Sequence, residues 1–133
     1  MIYLLDTNIC IYFMKNTYPS LTKKIFSFSP DSLAISSVTV FELEYGAEKS
    51  NWGEQNRNNL KMFLSPFTIL SFNNQDAIFA GRIRGCLEKK GTPIGPYDVQ
   101  IAAQAVSRNL TLVTHNTKEF MRVPNLIFTD WVS

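Results

Sequence analysis

The stretch Ile2-Tyr3-Leu4-Leu5-Asp6-Thr7-Asn8 decides how the rest of the chain is read. Four apolar residues followed at once by polar ones describe a short strand buried on both faces. A carboxylate, Asp6, stands directly at what is then the strand's C-terminal end. In open parallel α/β sheets ligands bind at that edge. The reading of the remaining sequence turns on whether it delivers other acids to the same place.

Beyond Asp6, Thr7 or Asn8 is suited to cap a helix through Ile9, Ile11, Tyr12 and Phe13 that ends near Lys15-Asn16. A second helix follows Pro19-Ser20, with Leu21, Ile25 and Phe28 on one face. Ser29-Pro30-Asp31 is turn chemistry, and Leu33-Ala34-Ile35 is a second short strand. Ser36-Ser37 then opens a helix carrying Val38, Phe41, Leu43 and Tyr45, in which Thr39 and Glu42 have the spacing of a capping box. Residues 51–64 read as a polar-faced helix with Leu60, Phe63 and Leu64 inward, and Phe67-Thr68-Ile69-Leu70 as a third strand. Residues 73–90 form a longer helix in which Ile78, Phe79, Ile83, Cys86 and Leu87 keep near-helical spacing. Gly91 and Pro93 stop it.

The loop Gly91-Thr92-Pro93-Ile94-Gly95-Pro96 leads to a helix over residues 96–108, with Pro96 in its first turn beside Asp98. Ala102 and Ala105 are small enough to let this helix lie close against a sheet. Leu110-Thr111-Leu112-Val113-Thr114 is a fourth strand. After Pro124, Leu126-Ile127-Phe128 forms a short last one. Alternating strands and helices, with no repeat or linker, make residues 1–133 a single α/β domain with a mainly parallel central sheet of four to five strands flanked by helices.

Composition narrows the function classes. Apolar residues make up 45% of the 133, enough for a core, and no apolar run is long enough for a membrane span. The opening run has no basic region before it and is a poor signal peptide, which makes the cytoplasm the expected compartment. A formal charge of +2 does not by itself point to nucleic acid. Cys10 and Cys86 lack metal-like spacing and read as buried thiols, with a disulfide as the alternative.

The acids are the informative feature. Asp6 follows the first strand, Glu42 lies on the helix after the second, Asp98 is in a first helical turn, and Asn116 follows the fourth strand with Glu119 one turn on. In a parallel sheet the strand ends share one edge, so groups separated by 36, 56 and 18 positions are able to converge. Clustered carboxylates raise one another's pKa values. A divalent cation relieves that, and oxygen ligands without His or Cys point to Mg²⁺, with Mn²⁺ as substitute, rather than zinc. Asp6, Glu42 and Asp98 are the expected metal-holding and catalytic acids, with Asn116 beside them and Thr7, Thr114 and Glu119 in auxiliary positions. Such a centre suits phosphodiester hydrolysis by metal-activated water, giving 5′-phosphate products. His115 is the only histidine, which rules out a metal-free ribonuclease built on paired histidines.

Leu4-Leu5-Asp6-Thr7-Asn8, Ser36-Ser37 with Phe41-Glu42-Leu43 and Gly46, Gly95-Pro96-Tyr97-Asp98 with Ile101-Ala102-Ala103, and Val113-Thr114-His115-Asn116 with Glu119-Phe120 occur in this order. Gly46-Ala47-Glu48-Lys49-Ser50 and the terminal Asp130-Trp131 accompany them. Together they resemble the PIN-domain family, and within it the VapC toxins of bacterial toxin–antitoxin pairs, over essentially the whole chain. The resemblance implies a PIN-like three-layer sandwich and a Mg²⁺- or Mn²⁺-dependent endoribonuclease. It also implies control by a VapB-type antitoxin, a homodimer, and an RNA substrate such as tRNA, with the initiator tRNA anticodon stem-loop as the leading expectation. Asp6, Glu42 and Asp98 match the family's core acids. Asn116 stands where an Asp is common and adds no charge.

Each of these residues also has a structural explanation. Asp6 could cap a helix, Asp98 could complement a helix dipole, Glu42 could complete the capping box, and Glu119 could lie on a solvated face. Lys23, Lys24, Arg82, Arg84, Lys89, Lys90, Arg108 and Lys118 are candidates for RNA phosphates, or surface charges. His115 reads as a loop histidine. The early apolar helices (Ile9, Ile11, Tyr12, Phe13, Met14) and Trp52 read as core, or as lining for an antitoxin helix. Two rival functions are a non-catalytic RNA- or protein-binding module and a phosphatase with Asp6 as nucleophile; Asn8 in place of a second Asp argues against the latter.

Overall fold

Five strands of two to four residues form one sheet in the order β3-β2-β1-β4-β5, every neighbouring pair parallel. They are β1 (Tyr3–Leu5), β2 (Leu33–Ser36), β3 (Thr68–Leu70), β4 (Thr111–Val113) and β5 (Phe128–Thr129). Among the described residues, seven α-helices connect and cover them: α1 (Thr7–Met14), α2 (Pro19–Phe26), α3 (Ser37–Glu48), α4 (Gly53–Leu64), α5 (Asn74–Lys89), α6 (Pro96–Ser107) and α7 (Thr117–Phe120). The computed structural model of the chain describes residues 2–51 and 53–132, so the expectation for Trp52 lies outside the described residues. Among them no helix is long and apolar enough to cross a membrane.

Successive residues of a strand face opposite ways, and the core divides accordingly. Leu4, Ala34 and Leu112 face a layer containing Ala80, Ile83, Leu87, Ile101, Ala102 and Ala105 of α5 and α6. Leu5, Leu33, Ile35 and Val113 face Ile9, Cys10, Leu21, Ile25 and Leu60 of α1, α2 and α4. The result is the expected three-layer sandwich. Ala102, Ala103 and Ala105 are fully buried, and their small side chains let α6 approach the sheet. The order reverses at β1, which pairs with β2 on one side and β4 on the other. The crevice this opens at the strands' C-terminal ends lies between Asp6 and the segment after Val113.

Two helices turn differently from the sequence pattern. Phe41 and Tyr45 belong to the same apolar set as Val38 and Leu43, yet they are 53% and 61% exposed. The buried stripe of α3 is instead Thr39, Leu43 and Ala47, with Val38 beside it, and a polar residue at its head hides its phase. The same happens in α5: Ile78 is exposed, and Asp76, Ala80, Ile83 and Leu87 form the buried stripe. Cys10 is buried and free, whereas Cys86 is only half-buried. The first strand begins at Tyr3, leaving Ile2 exposed. The last is Phe128–Thr129 rather than residues 126–128.

Asp76 ties the second helical layer together. Its carboxylate completes a capping box with Asn73, and accepts from Ser107 Oγ over 2.6 Å, Arg108 over 2.8 Å and Gln104 Nε2 over 3.3 Å. Burial works to raise its pKa, but the Arg108 guanidinium and these donors outweigh it and hold the carboxyl at about 2. Arg108, which also donates to Ser71 O, is thereby a structural cation rather than a free RNA contact. Arg84 is paired with Glu88.

Candidate active site

Asp6 is the N-cap of α1, a place the sequence pattern gives to Thr7 or Asn8; its Oδ1 accepts from Ile9 N over 2.8 Å. The strand carries the carboxylate inward, so a residue that water would normally surround is only 3% exposed. Burial raises its pKa to about 6, against a bond from the Thr114 hydroxyl and the Ile9 N–H, with the charges of Asp98 and Glu42 pushing further upward. Thr114, fully buried, also accepts from Asn116 N over 3.0 Å. One hydroxyl at the end of β4 thus joins Asp6 to the segment that carries Asn116.

Glu42 sits half-buried on α3, and its Oε1 accepts from Thr7 Oγ1 over 2.8 Å. The Thr7 and Thr39 hydroxyls are 2.9 Å apart. The expected Thr39–Glu42 capping box is therefore absent: Ser36 caps α3 through its own side chain, accepting from Val38 N. Thr39 supports Thr7 instead, a role that sequence reading missed because the capping-box spacing offered a local explanation.

Asp98 occupies the first turn of α6, after a bare Gly95 cap. A Cβ at Gly95 would stand 3.3 Å from Asp98 Oδ2, so glycine leaves the carboxylate its room. Burial raises the Asp98 pKa to about 6, followed by the charges of Glu119 and Glu42. Asn116 Nδ2 donates to Glu119 Oε2 over 2.9 Å. Glu119 is half-buried and acts on Asp98, so it does not lie on a solvated helix face.

The fold therefore gathers Asp6, Glu42, Asp98 and Glu119 around one crevice, with Thr7, Thr114 and Asn116 bonded to them. No Lys or Arg contributes to the shifts of Asp6 or Asp98. This set of oxygen donors with unbalanced negative charge fits a hard divalent cation. Among the described residues, no three His, Cys, Asp or Glu groups stand close enough to hold one ion directly. An ion that keeps several waters and takes one or two carboxylates fits that spacing.

His115 lies outside the cluster; its Nδ1 is 2.9 Å from Asp130 Oδ2. Beside Glu42 runs an apolar groove of about 1040 Å³ between α1, α2, α3 and α4, with Phe13, Met14, Phe26, Met62 and Phe63 among its lining. Phe26 and Met62 are each 74% exposed, and Met14 is exposed too. The early helices are thus core on one side, through Ile9 and Cys10, and groove on the other.

The PIN domain family model matches residues 3–126. The tRNA(fMet)-specific endonuclease VapC of Salmonella typhimurium is 44% identical over 129 residues, 97% of each chain. Ribonuclease VapC2 of Rickettsia felis is 43% identical over 98% of each. The crystal structure of DNA-bound VapBC from Salmonella typhimurium superposes with a TM-score of 0.93 at 43% identity, covering 98% of both chains. With its sheet order, its acids and these similarities together, the chain belongs to the PIN-domain family, in the VapC branch.

Proposed function

We propose that this protein is a metal-dependent endoribonuclease acting as the toxin of a toxin–antitoxin pair. The observation that carries the reading is the convergence of Asp6, Glu42 and Asp98, two of them with pKa values raised to about 6 by burial and by neighbouring carboxylates. VapC relatives named as ribonucleases over almost the full length support RNA as the substrate. The Salmonella relative's name favours tRNA.

When bound, Mg²⁺ or Mn²⁺ supplies an activated water at neutral pH and offsets charge on the scissile phosphate. Asp6 and Asp98 would hold the ion, with Glu42, oriented by Thr7, and Asn116, bonded to Glu119, beside it to position the attacking water. The products carry 5′-phosphates. The apolar groove beside Glu42 receives an amphipathic helix of a VapB-type antitoxin, which closes the approach to the acids. The toxin acts as a homodimer, as the family resemblance implies.

Expression in cells tests the reading. Growth arrest that the neighbouring antitoxin frame relieves, and that Asp98→Asn removes, is the expected result. Arrest that persists with Asp98→Asn contradicts it.

A further inference from the structure

We propose that Phe41 and Tyr97 form a nucleobase-stacking platform at the mouth of the acidic crevice, a proposal that rests on the nuclease reading and adds how the site grips its RNA. The two rings meet edge to face with centroids 5.4 Å apart. Phe41 is 53% exposed and Tyr97 42%. Each immediately precedes a site acid, Glu42 on α3 and Asp98 on α6. A helix turns about 100° per residue, so the residue before an inward acid stands at the rim beside it. Two separate helices thus bring an aromatic ring to the same edge of the crevice.

Burial does not account for this placement, because neither ring joins either core. Large rings left in water beside a charged centre are suited to unstacked bases, whose faces bind aromatic side chains regardless of sequence. Tyr45 continues the stripe one turn along α3, and Lys49 Nζ lies 5.2 Å from its ring centroid, adding a cation for the sugar–phosphate chain. A base stacked on Phe41 or Tyr97 holds its adjoining phosphate near Asp98 and Glu42. The platform thus positions the scissile bond, and it favours single-stranded or loop nucleotides over a continuous duplex.

The test uses the full chain, freed of any partner, with fluorescently labelled total tRNA. Affinity is read in EDTA, and cleavage with Mn²⁺. Phe41→Ala and Tyr97→Ala each weaken binding on the order of tenfold and lower the cleavage rate at low RNA concentration, while Tyr97→Phe and Phe41→Tyr stay close to the parent. The molecular mass in solution is unchanged in all four. If both alanine variants bind and cut as the parent does, the platform is refuted and the nuclease reading stands. If they instead change the molecular mass and leave RNA affinity intact, the pair is a contact between copies and the proposal falls. A parent protein that neither binds nor cuts any RNA overturns the nuclease reading and the platform with it.

Discussion

The Thr7 hydroxyl donates to Glu42 Oε1 over 2.8 Å, joining the first residue of α1 to a carboxylate on α3. Thr39, 2.9 Å from the same hydroxyl, fixes the rotamer of Thr7. The arrangement sets the position of Glu42 Oε1. Thr7→Val keeps the shape and removes the bond. RNA cleavage is expected to fall by about tenfold to a hundredfold, the usual cost of losing a group that orients a metal-site ligand, and Thr7→Ser is expected to retain most of it. Equal rates in the valine variant would separate Thr7 from catalysis.

Asp6 makes the metal-free fold less stable at neutral pH. Its pKa rises from 3.8 to about 6 on folding, so between those values the native state binds more protons than the unfolded one, and stability falls as pH rises through the window. The shift corresponds to about 3 kcal/mol at pH 7. Asp6→Asn removes that penalty and keeps an oxygen for the Ile9 N–H. Thermal unfolding in EDTA at pH 7 should show the variant several degrees more stable than the parent, with the difference shrinking towards pH 4. Added Mn²⁺ should raise the parent's Tm and leave the variant's unchanged. A variant less stable than the parent at pH 7 would refute this electrostatic account.

Asp76 works in the opposite direction. Its pKa falls from 3.8 to about 2 on folding, so the unfolded state binds more protons across that window. The stabilisation is complete above about pH 4 and is lost as pH falls towards 2. Asp76→Asn should cost about 2 kcal/mol at pH 7, read by urea unfolding, without changing metal binding.

The contrast between Asp6 and Asp76 shows which parts of the fold were legible in the sequence. Asp6 sits where a continuous apolar run breaks off, and such a break locates a strand end in a parallel sheet. The same logic applies to Asn116, after the fourth strand, while Pro96 marks the helix start that carries Asp98 in its first turn. Thr39 and Asp76 are buried polar residues at the heads of apolar stripes. A pattern that counts only hydrophobic residues starts those stripes one position wrong and does not separate the exposed Phe41, Tyr45 and Ile78 from the buried face. Asp76 has a local partner in Asn73 of its capping box, but Thr7, which meets Thr39, and Ser107, which meets Asp76, lie 32 and 31 positions away, and no local spacing announces them. Glu119 was ambiguous for a related reason: its half-buried place beside Asp98 depends on how α7 packs, not on its own neighbours in sequence.

The most direct measurement is cleavage of total tRNA by partner-free protein with Mg²⁺ or Mn²⁺, with EDTA, and beside Asp98→Asn. The account predicts discrete fragments bearing 5′-phosphates, lost in EDTA and below detection for Asp98→Asn, with the variant's fold unchanged by circular dichroism. Cleavage that continues in EDTA, or at the parent's rate in Asp98→Asn, would contradict it.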